Sequence, residues 1–159
     1  MLFAERMGWP CNDGTLSSRP EPEPDILFSM EAGVVAFELA EICDRTLAHQ
    51  SALDRKTGGV SMNWTTDPTA EIVNKKFANK YVTPHPIELL CYWKMMVVSS
   101  DDQVAAEINF AVQNNSSHQF RVVWYSGENA IYKWSIAEGS CSKIEFESER
   151  DPFWENCFT

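Results

Sequence analysis

No stretch of the chain approaches the ~18 uninterrupted apolar residues that a membrane-spanning helix needs, so no such helix is expected. The first ten residues lack the basic start and apolar run of a secretory signal, because Glu5 and Arg6 interrupt them. Cysteines are few and odd in number, five in all, with no Cys-x-x-Cys pair. That spacing offers neither a disulfide framework nor a zinc knuckle. Cys43 and Cys91 sit in apolar runs and read as small buried hydrophobes. These absences together point to a cytoplasmic chain. His49, His85 and His118 show no His-x-His or His-Glu-x-x-His spacing, which disfavours a zinc hydrolase. His85, in the stiff Thr83-Pro84-His85-Pro86 stretch, reads as an exposed loop residue rather than one that approaches a site. Gly-x-Gly-x-x-Gly, Gly-Lys-Ser/Thr and Gly-x-Ser-x-Gly are all missing, so nucleotide-cradling loops and serine hydrolases have no support.

Positive charge is also short. Thirteen Lys and Arg stand against 23 Asp and Glu, a net charge of −10. A field of that sign repels phosphate backbones and opposes unaided, non-specific DNA binding. A local basic strip or a metal can offset it, and Lys75, Lys76 and Lys80 form the obvious strip. What the chain does have is core material: 44% apolar residues, six Trp and nine Phe in 159 residues. That length fits one domain, which hides roughly two-thirds of its unfolded surface.

Alternating prolines from Arg19 to Asp25 forbid a helix and hold the chain extended. Asp25–Met30 then reads as a strand, Glu31–Gly33 as a tight turn, and Val34–Cys43 as a returning strand. The rival for the last segment is a helix through Arg55, since Val35, Leu39 and Ile42 also fit helical spacing. Paired valines and Gly33 favour the hairpin. A helix over Asp44–Lys56 follows, ended by Gly58-Gly59, then a loop. Asp67-Pro68 starts another helix, running to about Lys80. Ile87–Trp93 is a strand, and Ser99-Ser100 followed by Asp101-Asp102 opens a helix to about Asn114. Gln119–Ser126 and Asn129–Ile136 form a hairpin turning at Gly127-Glu128. This order predicts an α/β or α+β sandwich with a mixed central sheet. The core spans about residues 20–136, and 137–159 read as an acidic, aromatic tail.

On the Val34–Cys43 strand, alternation puts Ala36, Glu38 and Ala40 on one face and Phe37, Leu39 and Glu41 on the other. Glu38 therefore stands between two small side chains, with room for approach. Asp25 opens the neighbouring strand. Two carboxylates from adjacent strands, with the Leu39 carbonyl, can share one hard cation, Mg²⁺ or Mn²⁺. Glu41 faces away and reads as a solvated charge. The plainer alternatives are a Glu38 paired with a lysine or arginine, an Asp25 that caps a turn, and lysines that form a helix's wet face.

Pro24-Asp25, the short hairpin and Glu38-Leu39-Ala40 resemble the signature of the restriction-endonuclease-like, PD-(D/E)xK phosphodiesterases. The similarity continues loosely through the lysine-bearing helix, the Ile87–Trp93 strand and the hairpin from Phe120 to Trp134. Its phrasing is similar to that of small bacterial and mobile-element members. The resemblance implies a restriction-endonuclease-like core and a Mg²⁺- or Mn²⁺-dependent nuclease in which Asp25 and Glu38 hold the metal. It also implies a lysine two positions after the glutamate, which orients water or stabilises the transition state. Here that position is Ala40. Some members supply the lysine from a following helix, and Lys76 or Lys80 would do so here; Ala40 leaves the space open. Otherwise the site is dead and the fold serves binding. The family's leading helix, with its own acidic residue, is poorly matched: only Glu5 is available, in a very short segment.

Two readings follow: a metal-dependent nuclease acting on nucleic acid, or a catalytically inactive relative that binds protein partners in immunity, anti-defence or an assembly. The missing lysine, the acidic charge and the aromatic tail motivate the second. The tail is also consistent with a homodimer.

Overall fold

Valine pairs, aromatic residues and strict alternation place the strands, and proline, serine and aspartate place the helix starts. The computed structural model describes residues 2–10, 15–43, 67–93 and 99–146. Among them are three helices: α1 (Leu2–Arg6), α2 (Thr69–Ala78) and α3 (Asp101–Asn114). Seven strands accompany them: β1 (Leu16–Ser18), β2 (Ile26–Met30), β3 (Gly33–Ile42), β4 (Ile87–Trp93), β5 (Phe120–Ser126), β6 (Ala130–Ser135) and β7 (Ser140–Glu145). The strands form one mixed sheet in chain order. β3, β4 and β5 run parallel, and every other neighbouring pair is antiparallel. Parallel neighbours need crossovers, and α2 and α3 lie within the two connections. The expected α/β class with a mixed central sheet is what the described residues form. None of their helices is long and apolar enough to cross a membrane.

The β2–β3 hairpin turns where Gly33 adopts a φ of 124°, a region that favours glycine. β3 is a strand rather than the rival helix because both its faces are covered. Ala40 and Ile42 pack toward α2 and α3, while Val35 and Phe37 pack with Phe28, Trp124 and Ile131 on the other side. α1 closes that second side. Phe3 meets Trp124 at 5.4 Å between ring centroids, and Trp9 stacks on Phe28 at 5.7 Å. Burying side chains of this size stabilises the fold by about 1.5–3 kcal/mol each.

α2 starts where Asp67 Oδ1 accepts the Thr69 amide at 2.9 Å, and Pro68 has no amide to satisfy. Thr69, Val73 and Phe77 are buried at helical spacing, and beside them Ile72 and Lys76 are half-buried and Lys75 is exposed. α2 ends at Ala78, two residues earlier than the sequence suggests, because Asn79 turns extended ahead of the prolines. α3 opens with a capping box. The Ser100 hydroxyl accepts the Gln103 amide and Gln103 Oε1 accepts the Ser100 amide.

Two strands lie outside the expected set. β1 adds a three-residue edge to β2, and β7 pairs with β6 within the stretch that reads as a tail. All residues of β1 and β7 are exposed, so neither carries an apolar alternation to reveal it. The helix expected over Asp44–Lys56 and the loop after it, except Asp67, lie outside the described residues. So do residues 94–98, the expected extension of β4, and residues 147–159 of the tail.

Candidate functional site

A cleft of about 1230 Å³ lies between α2 and the β1–β2 edge of the sheet. β3 supplies Glu38, Leu39, Ala40 and Glu41 to its lining, β2 and its lead-in supply Asp25 and Ile26, and α2 supplies Ile72, Lys75 and Lys76. The register that sets Ile26 opposite Phe37 brings Asp25 next to Glu38 across the antiparallel pair.

Asp25 is held from several sides. Pro24 before it is fully buried. Its carbonyl accepts the Arg19 amide at 2.9 Å. Its carboxylate Oδ2 accepts the Leu39 amide at 2.9 Å. Leu39 therefore contributes a donor to Asp25, alongside the carbonyl considered from the sequence. Glu38 is buried, and its side chain is only 7% exposed. Such a carboxylate needs a partner, and Lys76 Nζ donates to Oε1 at 2.5 Å. Lys80 lines the same cleft, and Lys76 is the lysine in contact with Glu38. Glu41, which alternation turns to the other face of the strand, is exposed and nevertheless lines the cleft.

Tyr81 joins the site without any signal in the sequence beyond its place after the lysine helix. The amide group of Gln119 grips its backbone: Tyr81 N donates to Oε1 at 2.8 Å, and Nε2 donates to the Tyr81 carbonyl at 3.2 Å. Its ring lies 5.5 Å from that of Phe120. Its hydroxyl accepts from Asn79 Nδ2 at 3.3 Å and donates to the Lys76 carbonyl at 3.5 Å. Burial pushes the phenol above its ordinary value of 10.0; the Asn79 bond opposes this, and the negative charges of Glu38 and Asp25 add to it. Tyr81 is therefore a protonated phenol beside the carboxylate pair. Tyr92, opposite Glu41 in the β3–β4 register, is raised by burial and then by Glu41 and Asp25.

Cys91, paired with Ala40 in the β3–β4 register, is fully buried. Burial pushes its thiol up to about 12, against a small opposing effect of the Lys76 charge. It is a packing residue and no nucleophile. Cys43 lines the cleft and is half-buried. His85 is half-buried, and its amide donates to Thr83 Oγ1 at 3.3 Å; it does not line the cleft. His118 stacks on Phe77 at 4.1 Å and belongs to the packing behind α2.

Five carboxylates and three lysines line the cleft, so its own charge is negative and one divalent cation would neutralise it. Among the described residues no group of three or more His, Cys, Asp or Glu side chains is placed to hold a metal. Two carboxylates are too few for a caged ion, but Mg²⁺ takes one or two protein carboxylates and keeps its waters. The donor set fits that ion. No family model, no curated protein and no solved structure matches the chain.

Proposed function

We propose that the chain is a divalent-metal-dependent phosphodiesterase acting on nucleic acid, built on a restriction-endonuclease-like core. One observation carries this reading: Lys76, from the helix that follows the hairpin, has its Nζ 2.5 Å from Glu38 Oε1. That places an ammonium at the carboxylate although position 40 is alanine. The order of elements supports it. A hairpin bearing Asp25 and Glu38, a lysine-bearing helix and a strand parallel to β3 follow one another, in accord with the family resemblance.

Asp25 and Glu38 would hold Mg²⁺ or Mn²⁺. Such an ion, when bound, polarises a phosphoryl oxygen and acidifies a water. The protein's own groups do the rest. Lys76 stabilises negative charge growing on the phosphoryl oxygens, a fixed charge that needs no reorganisation during the reaction. Tyr81 keeps its proton, and its hydroxyl donates to the Lys76 carbonyl at 3.5 Å, at the end of the helix that carries the lysine. The Leu39 amide fixes the rotamer of Asp25. The test is cleavage of DNA and RNA with Mn²⁺ by the folded protein. Loss of cleavage in Asp25→Ala and Glu38→Ala is expected. Intact nucleic acid across a broad substrate and metal panel overturns the proposal.

The same ion pair favours a second reading. Lys76 already satisfies Glu38, so the pair can be a closed structural contact in a catalytically silent, protein-binding relative. That reading requires no specific metal binding at Asp25 and Glu38.

A further inference from the structure

Of the three lysines that line the cleft, Lys75 and Lys80 are exposed and Lys76 is half-buried. The Lys76 ammonium rests on Glu38 Oε1 at 2.5 Å, and that carboxylate side chain is only 7% exposed. A carboxylate so enclosed keeps its charge only with a cation beside it. Among the described residues, Lys76 is the one basic side chain within ion-pair distance of Glu38. Asp25, across the strand pair, takes the Leu39 amide instead of an ammonium. Lys76 sits in the last turn of α2 and keeps a quarter of its side-chain surface open. Its flexible four-carbon stem can therefore carry the ammonium off Glu38 without moving the helix.

We infer that Lys76 holds the place of the divalent cation at Glu38, so that the ammonium and the ion are alternatives there. The inference rests on the proposed metal site and names its regulation. Charge argues for exchange rather than sharing. Asp25, Glu38 and Lys76 together leave one negative charge. A divalent ion added to the intact pair would reverse that sign, and two cations on one enclosed carboxylate repel each other. Turning the ammonium out toward the cleft relieves the repulsion, and Glu38 stays paired in either state. The exchange also gives Lys76 its second role. Bonded to Glu38, its charge is already satisfied; released, it is available to a phosphoryl oxygen. Binding linkage is reciprocal, so the contact that holds Lys76 on Glu38 weakens the ion by the same factor that the ion weakens the contact.

The test compares the native chain with Lys76→Met, which keeps the apolar stem and removes the charge, and with Lys76→Arg, which keeps the charge. Calorimetric titration with Mn²⁺ is expected to show Lys76→Met binding at least about tenfold more tightly than the native chain. Lys76→Arg is expected to bind no more tightly than the native chain. Urea unfolding supplies the second readout. In EDTA, Lys76→Met is expected to unfold at lower urea than the native chain. Saturating Mn²⁺ is expected to close most of that gap, because an ion bound only to the folded state stabilises it and here replaces the lost ammonium. A pair with a structural role alone leaves the gap unchanged by Mn²⁺. Should Lys76→Met fail to fold in EDTA, recovery of its circular dichroism in Mn²⁺ is the same readout, and no recovery overturns the inference. Equal or weaker Mn²⁺ binding by Lys76→Met overturns the exchange and leaves the metal site of the native chain standing. No Mn²⁺ binding by any of the three chains removes the metal site and the exchange together.

Discussion

Lys76 on α2 and Glu38 on β3 are 38 residues apart in the chain and meet at 2.5 Å. The carboxylate is almost wholly enclosed, while the ammonium keeps a quarter of its side-chain surface. Removing the lysine therefore leaves a buried charge without its main partner. Lys76→Ala is expected to lower unfolding free energy by about 1–3 kcal/mol, measured by urea denaturation. Glu38→Gln in the same background is expected to recover part of that loss, because a neutral amide costs less to bury alone. Equal stability of Lys76→Ala and the native chain would show that the pair contributes nothing.

Tyr81 offers a separate check on the site's geometry. Its phenol is raised chiefly by burial, against an opposing hydrogen bond from Asn79 and with a further push from the neighbouring carboxylates. The unfolded chain thus loses this proton at lower pH than the folded one. Stability from Tyr81 is complete below pH 10, the ordinary value, and is lost as pH rises beyond it. Tyr81→Phe is expected to flatten part of the alkaline fall in a urea midpoint against pH series. An unchanged alkaline limb would separate Tyr81 from Glu38.

At the acid end the sensitive group is His118. Its ring stacks on Phe77, and burial lowers its pKa from 6.5, with a smaller opposing effect of the Phe120 backbone. Neither ring nitrogen has a hydrogen-bond partner of good geometry among the described residues. Here the unfolded chain takes up the proton first as pH falls. Stability is complete above pH 6.5 and declines as pH drops through the folded value. His118→Phe preserves the stack and removes the titration, so its urea midpoint is expected to fall less between neutral and mildly acid pH.

Gly127 marks a structural rather than a chemical constraint. A Cβ there would meet the carboxylate of Asp101 at 2.3–2.5 Å. Asp101 cannot simply move, because it accepts bonds from the Tyr125 hydroxyl and from the amides of Glu128 and Asn129. It ties the start of α3 to the β5–β6 turn. Gly127→Ala is expected to cost about 1–3 kcal/mol, seen as a lower thermal midpoint. A midpoint equal to that of the native chain would mean the turn gives way without losing the clamp.

How much of this could be read beforehand depended on whether burial left a pattern in the residues. β2, β3, β4 and the β5–β6 hairpin are apolar or alternating because they bury side chains, and their position follows. The starts of α2 and α3 are legible because capping chemistry is local: Asp67-Pro68, and Ser99-Ser100 ahead of Asp101-Asp102. Glu38 could be assigned a face from alternation alone, and the lysine helix could be named as a source of cation. Choosing Lys76 over Lys80 required the helix's rotation against the sheet, which Val73 and Phe77 set through tertiary packing. β1 and β7 are edge strands with every side chain exposed, so no apolar rhythm marks them. Tyr81 was illegible for a similar reason. It sits in an irregular segment whose path is fixed by Gln119, 38 residues away.

Calorimetric titration with Mn²⁺ tests the central claim most directly, because it asks whether Asp25 and Glu38 hold a cation at all. One site per chain is expected in the native protein, and its heat is expected to vanish in Glu38→Gln while the variant stays folded by circular dichroism. Absence of binding to the native protein, or binding unchanged in Glu38→Gln, would contradict a metal-dependent site and leave the Lys76–Glu38 pair as a structural contact.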